Sequence, residues 1–212
     1  MIALDLEQGS QEWLQARAGS LGASQLADAL AKTKTGWGAS RANLMARMVT
    51  ERLTGLPSET FCNAAMQWGK DNEPRARSAY EFKHDATVTE IGMVLHPELK
   101  GTHASPDGLV GDDGLVEIKC PNSATHIDTL RGAEIPRKYV LQMQWQMHLC
   151  ERQWCDFASY DPRLPIEMQL HVRRVERDDE LIAEIEAQVQ DFLTEVDEAV
   201  ADLRARYMKE AA

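Results

Sequence analysis

The segment Ser105-Pro106-Asp107-Gly108 is followed, nine residues past Gly108, by Glu117, Ile118 and Lys119. Residues two apart on a strand share a face, so Glu117 and Lys119 point one way while Ile118 points into the core. Asp107 stands at the start of the preceding hairpin arm, where it can meet Glu117 across the strands. Two carboxylates and an ammonium then converge on one patch. Oxygen ligands that fill only part of a coordination shell suit Mg²⁺, which keeps several waters and completes its octahedron on a substrate phosphate. A lysine beside them can orient or deprotonate an attacking water and stabilise developing negative charge. The bare pattern also arises by chance about once in a chain of this composition. Its bland alternative is a solvated surface pair, with Asp112 and Asp113 as turn residues.

The elements that must hold these residues read as an α/β or α+β layer fold. Ser10 can cap a helix carrying Trp13, and Ser24 a second through Gln25, Leu26 and Leu30; after a polar loop from Lys32 to Gly38, Ser40 opens a third that ends before Gly55. Residues 64 to 82 are helical in pattern, with Pro74 marking a kink or a fresh start. From Thr87 the texture turns β-branched and alternating: Thr87 to Thr89, Met93 to Leu95, Leu109-Val110, and Leu115 to Lys119 around the turn Gly111 to Gly114. A helix from Arg137 to Cys150 follows, then strands at Trp154 to Tyr160 and Ile166 to Val175. Leu181, Ile185, Val189, Phe192, Val196, Val200, Leu203 and Tyr207 form one apolar stripe on a long, otherwise acidic helix. The 212 residues suit a single domain: a helical region at 1–83, a sheet-containing core at 84–178 and a C-terminal helix at 179–209.

Five blocks in order resemble the phage lambda exonuclease family, the YqaJ-like viral recombinases of the PD-(D/E)XK nuclease superfamily. The hairpin Ser105 to Leu109 with Glu117-Ile118-Lys119-Cys120-Pro121 is similar to that family's active-site hairpin. Trp13 to Gly19 with Ala23-Ser24 resembles its tryptophan-to-arginine block, and Trp68-Gly69-Lys70 with Glu73-Pro74 and Ala76-Arg77 its glutamate helix. Tyr139 to Trp145, with Gln142 and Gln144, resembles its glutamine helix; Tyr160-Asp161-Pro162-Arg163 resembles a late strand and turn.

The resemblance implies a restriction-endonuclease-like core, a central mixed β-sheet flanked by helices, and a Mg²⁺-dependent 5′-to-3′ exonuclease on linear duplex DNA. Such an enzyme releases 5′-mononucleotides and leaves a 3′ single-stranded tail for recombination. Asp107, Glu117, the Ile118 carbonyl and Glu73 would be ligands for two Mg²⁺ ions, for which Mn²⁺ can substitute. Lys119 would serve the nucleophilic water, and Gln142 would hydrogen-bond near the scissile phosphate or that water. Arg17, Ser24 and Ser105 would grip the terminal 5′-phosphate. Trp13 and Met66 would meet the DNA end, and the basic run Lys32, Lys34 and Arg41 the duplex. The family further implies a homotrimeric ring, a single-strand annealing protein as partner, and a phage or prophage gene. The rival readings are a structure-specific or 3′-directed nuclease of the same superfamily, and a non-catalytic DNA-binding module on that scaffold.

Net charge is −11, which at face value argues against a phosphate-covered partner. It divides unevenly: residues 1–60 are neutral overall, residues 61–165 carry −4 and residues 166–212 carry −7. The N-terminal third therefore presents no net repulsion to DNA, and the acidic excess belongs mostly to the last helix, expected to face solvent or a protein partner. Cys62, Cys120, Cys150 and Cys155 form no CxxC pair and read as buried thiols in a reducing cytoplasm. Neither a leader nor a membrane span is expected. The six histidines show no ligand spacing and are assigned no chemistry.

Overall fold

The computed structural model describes residues 1–34, 36–58 and 63–208. The chain runs through β1 (Ile2–Leu4), α1 (Gln11–Arg17), β2 (Leu21–Gly22), α2 (Leu26–Ala29), the hairpin β3 (Lys32–Thr33) and β4 (Gly36–Trp37), α3 (Ala39–Thr54) and α4 (Ala64–His84). Strands β5 (Val88–Thr89), β6 (Met93–Leu95), β7 (Thr102–Ala104), β8 (Gly108–Val110) and β9 (Gly114–Lys119) follow. Then come α5 (Ser123–Leu130), α6 (Arg137–Leu149), β10 (Trp154–Tyr160), β11 (Leu170–Glu176) and α7 (Asp179–Tyr207). A five-stranded sheet has the order β11-β10-β9-β8-β5, and a four-stranded sheet the order β1-β6-β7-β2. β9 is antiparallel to β8 and parallel to β10, so the larger sheet is mixed and the fold is α/β.

Alternation along β9 sorts its side chains between two cores. Leu115 joins Phe157, Cys155 and the apolar faces of α3, α6 and α7, while Val116 and Ile118 join Ala76 and Tyr80 of α4 on the other side. Glu117 therefore points beneath α6, at the sheet face opposite Ile118, and is 0% exposed.

Several expectations shift by a turn. Residues 1–83 are not purely helical, because β1 and β2 pair with β6 and β7. Neither Ser24 nor Ser40 is a cap: the turn holding Ser24 starts from Gly22, whose N–H donates to Gln25 Oε1, and α3 starts from Gly38. Ser10 does cap α1, accepting from Trp13 N at 3.1 Å. α4 runs unbroken through Pro74. Ile166–Met168 is a 3₁₀ turn after Pro165, so the last strand starts at Leu170. The acids of α7 face outward as expected, but two of them hold arginines of α3. Glu195 takes both guanidinium nitrogens of Arg41 at 2.8 and 3.0 Å, and Asp197 takes Arg52 at 2.6 Å.

Phe192, fully buried where α7 packs on α3, anchors this last helix. Phe192→Ala is expected to cost about 3–5 kcal/mol by urea denaturation. A loss under about 1 kcal/mol would show that α7 is an appendage and not a wall of the core.

Candidate active site

Glu117 organises the site. Its Oε1 accepts from Lys119 Nζ and from Gln142 Nε2 at 2.7 Å, and its Oε2 accepts from Gln146 Nε2 at 2.7 Å. A carboxylate removed from water needs this many donors. α6 supplies two of them because residues four apart share a helix face. Gln144 turns the other way, donating to the Glu176 carbonyl at 2.8 Å and accepting from Asp178 N at 2.9 Å. Asp107, next to Glu117 in the β8–β9 register, accepts from Ile118 N at 2.6 Å. The hairpin thus fixes one acid through the backbone and the other through side chains.

A cavity of about 770 Å³ is lined by Glu73, Asp107, Ile118, Lys119 and Gln142, with Met66 and Ser24 also on its wall, and Glu117 lies buried behind Lys119 and Gln142. Glu73 comes from the middle of α4 and is held by Arg77 at 2.8 Å; Arg77 also pairs with Glu90 at 2.9 Å. Burial pushes the Asp107 carboxyl well above its usual range, and the neighbouring Glu117 and Glu73 add to that. Burial also raises Glu73, against the opposing pull of Arg77 and Lys119. For Lys119, burial works against the charge, but Glu117 and Asp107 outweigh it and hold the ammonium above its ordinary pKa. Three carboxylates and a backbone carbonyl against one lysine is a hard-oxygen donor set with surplus negative charge. It fits divalent cations that take part of their shell from substrate and water.

The three residues expected at a 5′-phosphate are spread over two elements and a strand end. The Arg17 guanidinium stacks on the half-buried Trp13 ring at 4.0 Å, and Trp13 Nε1 donates to Ser105 Oγ at 3.3 Å. The Arg17 guanidinium has no hydrogen-bonding or ion-pair partner among the described residues. Burial, then repulsion from Arg47, brings its pKa down to about 10. Ser24 is exposed on the cavity rim. Trp13 thus backs the arginine, whereas Met66, 49% exposed, presents its side chain at the cavity edge.

Lys32 and Lys34 are exposed on the β3–β4 hairpin. Arg41 is not available to a duplex. It is 3% exposed, locked on Glu195 and packed between Trp37 and Phe192.

Three features escaped the sequence. Gln146 was signalled only by standing four residues after Gln142. Lys70 and Lys138 add positive charge to the cavity lining. His96, His148 and Glu186 bring their side-chain donor atoms within 4.8 Å of one another. His96 Nδ1 accepts from the backbone N–H of Glu98 and Leu99 at 3.2 and 2.8 Å, so its proton sits on Nε2, facing Glu186 at 3.2 Å. A metal would need that lone pair free. The trio is a hydrogen-bonded clamp between the end of β6, α6 and α7. Among the thiols, Cys120, Cys150 and Cys155 are free, and burial pushes Cys120 and Cys150 up to about 12; Cys62 lies outside the described residues.

Residues 12–153 match the YqaJ-like viral recombinase domain. The fold is similar to the crystal structure of an alkaline exonuclease, LHK-Exo, from Laribacter hongkongensis, at 48% identity and a TM-score of 0.88, covering 95% of this chain and 100% of that one. The same protein in complex with dAMP matches equally. A phage-related exonuclease from Haemophilus somnus shares the fold at 16% identity, with a TM-score of 0.70 over 87% of this chain and 96% of that one. An uncharacterized protein of Acanthamoeba polyphaga mimivirus is 28% identical over 166 residues, 72% of this chain but only 29% of that protein's length.

The raised carboxyls have a consequence for stability. A carboxyl whose folded pKa exceeds its unfolded value lowers stability as pH rises from the ordinary carboxylate range, about 4, through the raised value. Asp107→Asn removes that penalty and keeps an oxygen for Ile118 N–H. In EDTA at pH 7 this variant is expected to be more stable than wild type by on the order of 1 kcal/mol, with the gain shrinking toward pH 4. Added Mg²⁺ should stabilise the wild type and not the variant. Urea titrations showing D107N less stable at pH 7 in EDTA would contradict the surplus-charge account.

Proposed function

Because the chain belongs to the YqaJ-like viral recombinase family, we propose that it is a Mg²⁺-dependent exonuclease degrading one strand of linear duplex DNA from the 5′ end. It releases 5′-mononucleotides and leaves a 3′ tail for single-strand annealing. The observation that carries this reading is the joining of Asp107, Lys119, Gln142 and Glu73 on one open cavity, with Glu117 buried behind Lys119 and Gln142, which both donate to it. The likeness to the Laribacter alkaline exonuclease over nearly the whole chain supports exonuclease activity.

In this reading Asp107, Glu117, the Ile118 carbonyl and Glu73 are the residues that would hold two Mg²⁺ ions, which would supply Lewis acidity for phosphodiester hydrolysis. Lys119 keeps its proton because Glu117 and Asp107 stabilise the ammonium. In this role it orients the attacking water and counters developing negative charge. Gln142 steadies Glu117 and lines the cavity, which supports a role beside the scissile phosphate. Arg17, Ser24 and Ser105 take the terminal 5′-phosphate. Met66 meets the terminal base pair, and Lys32 and Lys34 track the duplex backbone. The chain acts as a homotrimeric ring and hands its 3′ tail to an annealing protein. Among the described residues no helix is long and apolar enough to cross a membrane.

Linear duplexes labelled at either end, with and without 5′-phosphate, test this. In Mg²⁺ the 5′ label should leave first as a mononucleotide, and Lys119→Met should slow its release by about 100-fold or more. Release from the 3′ end first, or internal fragments from closed circular DNA, would overturn it.

A further inference from the structure

β7 carries a buried histidine that the roles above leave unused. His103 is 1% exposed, and its Nδ1 shares a 2.8 Å hydrogen bond with Ser20 Oγ. Its Nε2 is buried and has no hydrogen-bonding partner. In the parallel register of β2 with β7 the residue beside it is Gly22. A methyl group built on Gly22 would stand 3.0 Å from His103 Nε2 and 3.3 Å from Arg17 Nη2. The imidazole edge and the arginine fork therefore flank the same point of backbone, and only a residue without a side chain lets both approach it so closely.

The chemistry of that space is one-sided. The Arg17 guanidinium offers only donors and makes no hydrogen bond among the described residues; Glu51, the nearby carboxylate that attracts it, is already taken by the N–H groups of Gly19 and Ser58. The Ser20 hydroxyl can donate to Nδ1, and in that tautomer the neutral imidazole carries its proton on Nε2 and is a donor as well. Burial and the nearby Arg17 hold the ring's pKa down to about 3, so it is neutral at any working pH. Two converging donors without an acceptor match an anion. Ser105, two residues after His103, leaves the strand on the same side. Ser105 Oγ and Arg17 are also tied to opposite parts of Trp13.

We propose that His103 is a further ligand of the terminal 5′-phosphate, its Nε2–H donating to a phosphate oxygen that Arg17 also holds, so that the pocket selects a phosphorylated end over a hydroxyl end. This rests on the reading of Arg17 as the 5′-end residue. A neutral donor adds affinity for the phosphate without adding to the repulsion that Arg47 already imposes on Arg17.

The test is the ratio of cleavage rates on 5′-phosphorylated and 5′-hydroxyl linear duplexes for wild type, Arg17→Ala, His103→Phe and His103→Gln. His103→Phe keeps a ring but no N–H and is expected to lower the ratio by about tenfold or more, mainly through KM. His103→Gln, which places an amide N–H near the lost Nε2–H, should restore most of it. Should His103→Phe not fold, the ¹⁵N resonance of His103 Nε2 in the wild-type protein gives the answer. It should shift when a 5′-phosphorylated duplex is added in EDTA and stay put with the 5′-hydroxyl duplex. An unchanged ratio in His103→Phe, or no selective shift, while Arg17→Ala loses the preference, overturns the role of His103 alone. A wild-type ratio in Arg17→Ala overturns the 5′-end reading itself.

Discussion

Everything in this molecule is arranged around a carboxylate that water cannot reach. Glu117 is fully buried in the middle of a sheet, where an isolated charge would cost several kcal/mol. It is tolerated because Lys119, Gln142 and Gln146 donate to it from two elements. That requirement fixes the rotation of α6 on the sheet, since only one helix face can carry both glutamines. It also explains why a helix buried over Leu141 to Met147 contains three glutamines: each amide nitrogen has an acceptor that the sheet or a strand end supplies, although Gln146 Oε1 is buried without a partner.

The same constraint separates the jobs of the cavity walls. β9 and α6 form the rigid wall, tied by buried hydrogen bonds. α4 forms the other, passing through Pro74 without a break, so that Met66 and Glu73 sit on one helix about 10 Å apart along its axis. An apolar side chain at the entrance and an acid in the interior are thus held at fixed spacing. Charge is divided in a similar way. Acids on the outer face of α7 neutralise the inward-lying Arg41 and Arg52, while Lys32, Lys34, Lys70 and Lys138 remain exposed on the side of the cavity and hairpin. The net charge of the chain therefore says little about what the cavity mouth presents to a phosphate.

The acid-acid-lysine set was legible because strand alternation and a short hairpin register are local properties, and Asp107, Glu117 and Lys119 are close in sequence. The long strands and helices were legible for the same reason. What failed to show depends on distant packing. Arg41 looks like a free basic residue until Glu195, 154 positions away, closes on it. His103 gains meaning only when β7 lies against Gly22, and His96, His148 and Glu186 only when β6, α6 and α7 meet. β7 itself is three residues without alternation, and α5 is a largely polar helix begun by Asn122, so neither stood out from loop.

Gln146 tests the central role of Glu117 most directly, because it is 1% exposed, lines none of the cavity and touches the site only through the Glu117 carboxylate. The measurement is Mg²⁺-dependent cleavage of a 5′-phosphorylated linear duplex by Gln146→Leu, beside its binding to the same duplex end in EDTA. If the buried carboxylate must be held by all its donors, cleavage falls by about tenfold or more while end binding is retained. A wild-type cleavage rate in Gln146→Leu would contradict the account.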